Sequence, residues 1–185
     1  MRYSYIIITL LLLFFVTACD KKEKKTKEDN SSTIESEAML SENLERPFFL
    51  TLSDGTILNL QKNRDDYSIE SDFATLFVFF TTKCKACLVE TPILNNISFK
   101  FQDDLQIIGV MLDDIDDNKS AKFIEKNSIA YPISRGEQNK FLLRTMGEIE
   151  NIPYMVFFDK SGKRRASYLG VIPQEMLEKE LLRYF

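Results

Sequence analysis

Cys84-Lys85-Ala86-Cys87 places two thiols three residues apart, near enough to close a small disulfide ring where the segment opens a helix. At a helix start, unpaired backbone N–H groups and the positive end of the dipole stabilise a thiolate. Lys83 and Lys85 add charge of the same sign. The thiolate is the attacking species in thiol–disulfide exchange, so the chemistry open to this pair is attack on a disulfide, a mixed disulfide, and its resolution. Other uses of the motif fit less well. A zinc site needs two more ligands, and the chain offers one further cysteine, Cys19, and no histidine. As a structural staple, so short a loop removes little entropy from the unfolded chain. The absence of histidine also excludes imidazole metal ligands, histidine general bases and Ser-His-Asp or Cys-His catalysis. With 24 basic against 28 acidic residues, a net charge of −4, there is no electrostatic case for binding nucleic acid. No cofactor and no metal are expected.

The elements around the pair suit that chemistry. Thr75 to Phe80 is a continuous apolar run, the pattern of a strand buried on both faces. A helix is expected from Cys84 to about Phe101, then a second buried strand over Leu105 to Leu112 and an acidic loop, Asp113 to Asp117. Lys119 to Lys126 reads as a helix, Ala130 to Ser134 as a short strand, and Lys140 to Met146 as a helix ending at Gly147. Tyr154 to Phe158 and Arg165 to Leu169 read as a hairpin. A last amphipathic helix is expected from Pro173 to Tyr184, with Met176, Leu177, Leu181 and Leu182 on its apolar face. Upstream, Phe48 to Leu52 and Thr56 to Leu60 flank an Asp54-Gly55 turn, a hairpin signature. This order predicts an α/β domain: a right-handed βαβ unit followed by an antiparallel pair.

The N-terminal end reads as an address. Arg2 precedes an apolar run from Ile6 to Val16, too short to span a membrane comfortably, and residues 1–18 read as a signal peptide. Val16-Thr17-Ala18-Cys19 resembles the bacterial lipobox, which implies cleavage before Cys19 and acylation of that cysteine. Several acyl chains hold a protein stably, since each buried CH₂ contributes about 0.8 kcal/mol. Asp20 resembles an inner-membrane retention signal. Residues 19–46 carry the lipidation cysteine and a polar, charged tether with too little apolar surface to fold. Five lysines between Lys21 and Lys27 suit either anionic headgroups or plain solvation. The folded domain is then residues 47–185.

From about Phe48 to Phe185 the chain resembles the periplasmic thioredoxin-like thiol–disulfide oxidoreductases of the TlpA/ResA type. The matching residues are Cys84 and Cys87, Glu90, Pro92, the Ile152-Pro153 dipeptide, the Asp159-Lys160-Ser161-Gly162 turn and Gly170. The resemblance implies a thioredoxin fold: a central mixed sheet flanked by helices, here with an N-terminal hairpin extension. It implies that Pro92 kinks a continuing helix, although proline alone would suggest a helix end. It implies a cis bond before Pro153, where trans is the ordinary form. Cys84 and Cys87 become the redox pair, Glu90 a group that assists proton movement, and Ile152 and Pro153 the substrate-facing segment. Without the resemblance, Glu90 reads as an exposed helical acid. The implied partners are protein thiols and disulfides, an upstream membrane electron donor or acceptor, and the membrane through the lipid. The implied place is the bacterial cell envelope, facing the periplasm or outer surface.

The departures narrow what carries over. Where the family has tryptophan before the first cysteine and often proline before the second, this chain has Lys83 and Ala86, and Val78 stands where cytoplasmic thioredoxins bury an aspartate. Reduction of protein disulfides, for instance in cytochrome c maturation, is the leading expectation. A thiol oxidase or isomerase, a non-enzymatic binding lipoprotein and, more distantly, a peroxidase using Thr81-x-x-Cys84 are the alternatives.

Overall fold

The structure is a computed structural model that describes residues 44–147 and 149–185. The proposed signal segment, Cys19, Asp20 and the tether through residue 43 lie outside the described residues.

Seven consecutive buried residues, Ala74–Phe80, form β4 at the centre of a five-stranded sheet. Strand β5 (Leu105–Met111) pairs with it in parallel and β7 (Tyr154–Phe158) antiparallel. The short β6 (Ile133–Ser134) and β8 (Arg164–Leu169) complete the order β6-β5-β4-β7-β8. A strand with neighbours on both sides and layers on both faces has no polar side, which is why β4 lacks alternation.

Helix α1 (Lys85–Lys100) runs from the end of β4 and keeps Pro92 in its interior. It covers one face with α4 (Gln174–Leu181), burying Leu94, Ile97, Leu177 and Leu181 against Leu76, Val78, Ile107 and Phe157. On the opposite face Phe77, Phe79, Ile108 and Val110 meet α3 (Glu137–Thr145) and an N-terminal sheet. Helix α2 (Asp117–Lys126) is capped by the Asp116 side chain, which accepts from Lys119 N at 2.9 Å. No helix among the described residues is long and apolar enough to cross a membrane.

The expected N-terminal hairpin is present as β1 (Phe48–Thr51) and β2 (Ile57–Asn63), but a third strand, β3 (Asp66–Ile69), pairs with β2. The intervening turn puts Arg64 at φ 60°, a conformation usually signalled by Gly or Asn, so the local pattern gives no warning. This sheet is stitched to the main one where Leu52 bridges Ser134 and Ser53 N donates to Ile133 O at 2.8 Å. Helix α3 starts three residues before the expected Lys140, because its polar first turn includes Asn139, which is buried. In α4 only Leu177 and Leu181, four apart, reach the core. Met176 and Leu182 are each 56% exposed, because only one narrow stripe of this short helix faces the sheet.

Candidate active site

Beyond Phe80 the chain leaves the sheet in a tight turn, closed by Cys84 N donating to Thr81 O at 3.1 Å. Cys84 is the N-cap of α1, and its sulfur accepts from Cys87 N at 3.1 Å. A Cys84–Cys87 disulfide is formed, with Cα atoms 5.3 Å apart. The two sulfurs are not equivalent: Cys84 is partly exposed, whereas Cys87 is only 6% exposed. Lys83, Lys85 and Ala86 are exposed around them. The first turn of α1 therefore presents one sulfur to incoming groups, next to free amides and two cations, and keeps the other inside.

Glu90 lies one turn further along α1 and is fully buried, so the reading of it as an ordinary exposed acid is wrong. Its Oε1 accepts from Ile172 N at 3.1 Å, and Oε2 has no protein partner. Burial pushes its carboxyl up to about 7, against the lowering effect of the Ile172 hydrogen bond. Amphipathic patterning cannot reveal this, because it assigns a carboxylate to the solvent side by default. Thr91 and Tyr131 are also buried beside it, and neither stands out in the sequence. Thr91 Oγ1 donates to Cys87 O at 3.3 Å. The Tyr131 phenol is pushed up to about 12, first by burial and further by the charge of Glu90, with a hydrogen bond to Thr91 opposing.

The remaining candidates arrive from the antiparallel side of β4. Phe79 is level with Tyr154, so Ile152 and Pro153 fall beside the start of the active-site turn. The Ile152–Pro153 peptide is cis, Pro153 is buried, and its carbonyl accepts from Gly170 N at 2.8 Å. The segment 170–173 is thus tied to both Pro153 and Glu90. The fold brings Cys84, Cys87, Glu90, Ile152 and Pro153 to one end of the sheet; Cys19 lies outside the described residues. One further contact has no signal in the sequence: Asp113, just past β5, accepts from Thr82 N through its carboxylate. An open groove of about 540 Å³ on the N-terminal sheet, lined by Phe49, Asn59, Gln61, Ser68 and Glu70 among others, contains none of these residues.

Residues 74–164, which run from β4 into β8, match the model of a thioredoxin-like family. A thiol-disulfide oxidoreductase of Bacillus subtilis, YkuV, is 30% identical over 113 residues, covering 59% of this chain and 75% of that protein. The chain belongs to the thioredoxin-like thiol–disulfide oxidoreductases. Solved structures agree in fold. StoA from Bacillus subtilis superposes with a TM-score of 0.58 at 19% identity, covering 74% of this chain and 97% of that one. A putative thiol:disulfide interchange protein DsbE from Chlorobium tepidum gives 0.60 at 18% identity, covering 76% and 94%. A putative thioredoxin from Neisseria meningitidis gives 0.61 at 17% identity, covering 76% and 89%. This oxidoreductase therefore has the mixed sheet and flanking helices of the family, together with a three-stranded N-terminal sheet.

Proposed function

We propose that this oxidoreductase is a lipid-anchored protein of the bacterial cell envelope that reduces disulfides in other proteins outside the cytoplasm. The observation that carries the catalytic half is the asymmetric Cys84–Cys87 disulfide at the start of α1, with Glu90 buried one turn behind it. In the reduced protein the Cys84 thiolate attacks one sulfur of a substrate disulfide. That S–S bond breaks, the other substrate sulfur leaves as a thiolate and takes a proton, and a mixed disulfide joins Cys84 to the substrate. Glu90, titrating near 7, accepts the proton of the Cys87 thiol. Cys87 then attacks Cys84, releasing the second substrate thiol and leaving the Cys84–Cys87 disulfide. A membrane electron donor returns this pair to the dithiol.

Ile152 and Pro153, beside the turn, form the face on which the backbone of the substrate rests. Cys19, at the end of its lipobox-like sequence, carries the anchor. The reductive direction follows from the family resemblance, and apocytochrome c is the kind of substrate it implies. The test is a Cys87→Ser variant expressed in the envelope. It should accumulate a mixed disulfide through Cys84 with a protein that purifies with it and is released by dithiothreitol. Failure of Cys87→Ser to trap any partner, while Cys84→Ser abolishes nothing, would sink the reading.

A further inference from the structure

Parallel pairing of β4 with β5 sets Phe80 level with Met111, and Leu112 N still donates to Phe80 O at 2.9 Å. Continuing both chains in that frame, Thr81 falls level with Leu112 and Thr82 with Asp113. By then β4 has left the sheet, so Thr82 N has no strand to bond to. Such an orphaned amide needs an acceptor, and the Asp113 carboxylate supplies it. The neighbouring amide of Cys84 is tied within the turn to Thr81 O. The segment that delivers the attacking sulfur is thus held by one internal bond and one bond from another element.

We propose that Asp113 is a positioning residue of the exchange reaction, holding the Thr81–Cys84 turn through Thr82 N and setting a negative charge beside the place where the Cys84 thiolate forms. The proposal rests on Cys84 being the attacking thiol. Its first consequence is geometric. A hydrogen bond from an amide to a carboxylate is stronger than a neutral one, and this one fixes the residue two before the nucleophile. Its second is electrostatic. Reduction creates a thiolate at Cys84, and a carboxylate bonded to the amide two residues before it disfavours that charge, which biases the couple toward the disulfide. That is the bias a reductant needs. Lys83 and Lys85 oppose it from the turn and α1, Asp114 adds to it from the same loop, and Glu90 stands behind in α1. Lys83 and Lys85 are exposed and solvated, so their opposition is weak. Asp113 is partly buried and fixed. The remaining acids of the loop point elsewhere: Asp116 caps α2, and Asp117 pairs with Arg135.

Two substitutions separate the two consequences. Asp113→Asn keeps an acceptor for Thr82 N and removes the charge; Asp113→Ala removes both. Each would be made in the full chain in detergent. Equilibrium with glutathione redox buffers, reduction of a small aromatic disulfide and the pH profile of Cys84 alkylation would be measured. We expect both variants to shift the glutathione equilibrium about threefold toward the dithiol, as loss of one screened charge implies, with alkylation half-maximal at lower pH. Asp113→Ala should also lose about tenfold in exchange rate, and Asp113→Asn should recover most of that loss. Should the alanine variant fail to fold, the equilibrium of the asparagine variant decides alone. A wild-type equilibrium constant in Asp113→Asn overturns the electrostatic half, and equal rates in alanine and asparagine variants overturn the positioning half, whatever happens to thermal stability. Wild type and Cys84→Ser run alongside: an inactive wild type, or an active Cys84→Ser, is failure of the site assignment and not of Asp113.

Discussion

Glu90 has one oxygen held by the Ile172 amide and the other without a partner, in a helix face sealed from solvent. Its titration near 7 has a thermodynamic consequence. Between pH 4.5 and 7 the native state holds a proton that the unfolded chain releases, so this residue's contribution to stability is complete below 4.5 and is lost as pH rises through 7. The loss is about 3 kcal/mol at most. Glu90→Gln should therefore be close to neutral at pH 4 and stabilising by about 1–3 kcal/mol at pH 8, read from urea denaturation at the two pH values. The same variant should slow exchange and abolish an inflection near pH 7 in its rate; a profile identical to wild type would remove Glu90 from the mechanism. The cysteines are asymmetric for a related reason. Cys84 is the partly exposed cap and Cys87 lies a turn inside, so alkylation of the reduced protein near neutral pH should modify Cys84 first. Faster labelling of Cys87 would reverse the assigned roles.

Several elements owe their placement to single buried polar groups. Asn139, fully buried in α3, donates to Met111 O at 2.7 Å and Ser134 O at 2.8 Å, and accepts from Ser134 Oγ at 2.5 Å. It satisfies the end of β5 and the short β6, which has too few residues to satisfy itself by pairing. Asn139→Ala leaves those groups unpaired and should cost about 3 kcal/mol, measured by chemical denaturation. Less than about 1 kcal/mol would mean water replaces the side chain without loss. The N-terminal sheet depends on a different contact. Tyr67 N donates to Gly162 O at 2.8 Å in the β7–β8 turn, and Gly162 sits at φ +76° with the Tyr67 carbonyl where a Cβ would be. Gly162→Ala should lower stability by about 2–4 kcal/mol and raise hydrogen exchange across β3 before the central strands.

At the scale of the molecule, the proposed anchor and the proposed reductive direction can each be tested. A protein held by lipid at Cys19 should partition into detergent, and Cys19→Ala should remain unlipidated; an unmodified N-terminus by mass spectrometry would contradict the anchor. For the catalytic domain, the exposed Lys83 and Lys85 contribute about 0–1 kcal/mol to thiolate stability. Since 1.4 kcal/mol corresponds to about 30 mV in a two-electron couple, they raise the potential only slightly. A value nearer about −270 mV than about −120 mV is expected from equilibration with glutathione buffers. A potential above about −160 mV would make the protein an oxidant and end the reductase reading.

The Cys84–Cys87 pair and its setting at a helix start were legible because they are local. A C-x-x-C between a wholly apolar strand and a helix is a pattern of adjacent residues, as are the hairpin at Asp54-Gly55 and the seven apolar residues of β4. The continuation of α1 past Pro92 and the cis bond at Pro153 came through family resemblance, since proline alone favours a helix end and a trans bond. What only the tertiary structure decided are contacts between distant parts of the chain. The amide that holds Glu90 lies 82 residues away, the carboxylate that holds Thr82 lies 31 away, and the carbonyl that Asn139 reaches at the end of β5 lies 28 away. A polar side chain carries no mark of burial in its own neighbourhood of the sequence. Its partner is chosen by which strands lie side by side, and the packing of the sheet, rather than any periodicity, brought an ordinary-looking glutamate and one acid of a charged loop to backbone amides far away in the chain.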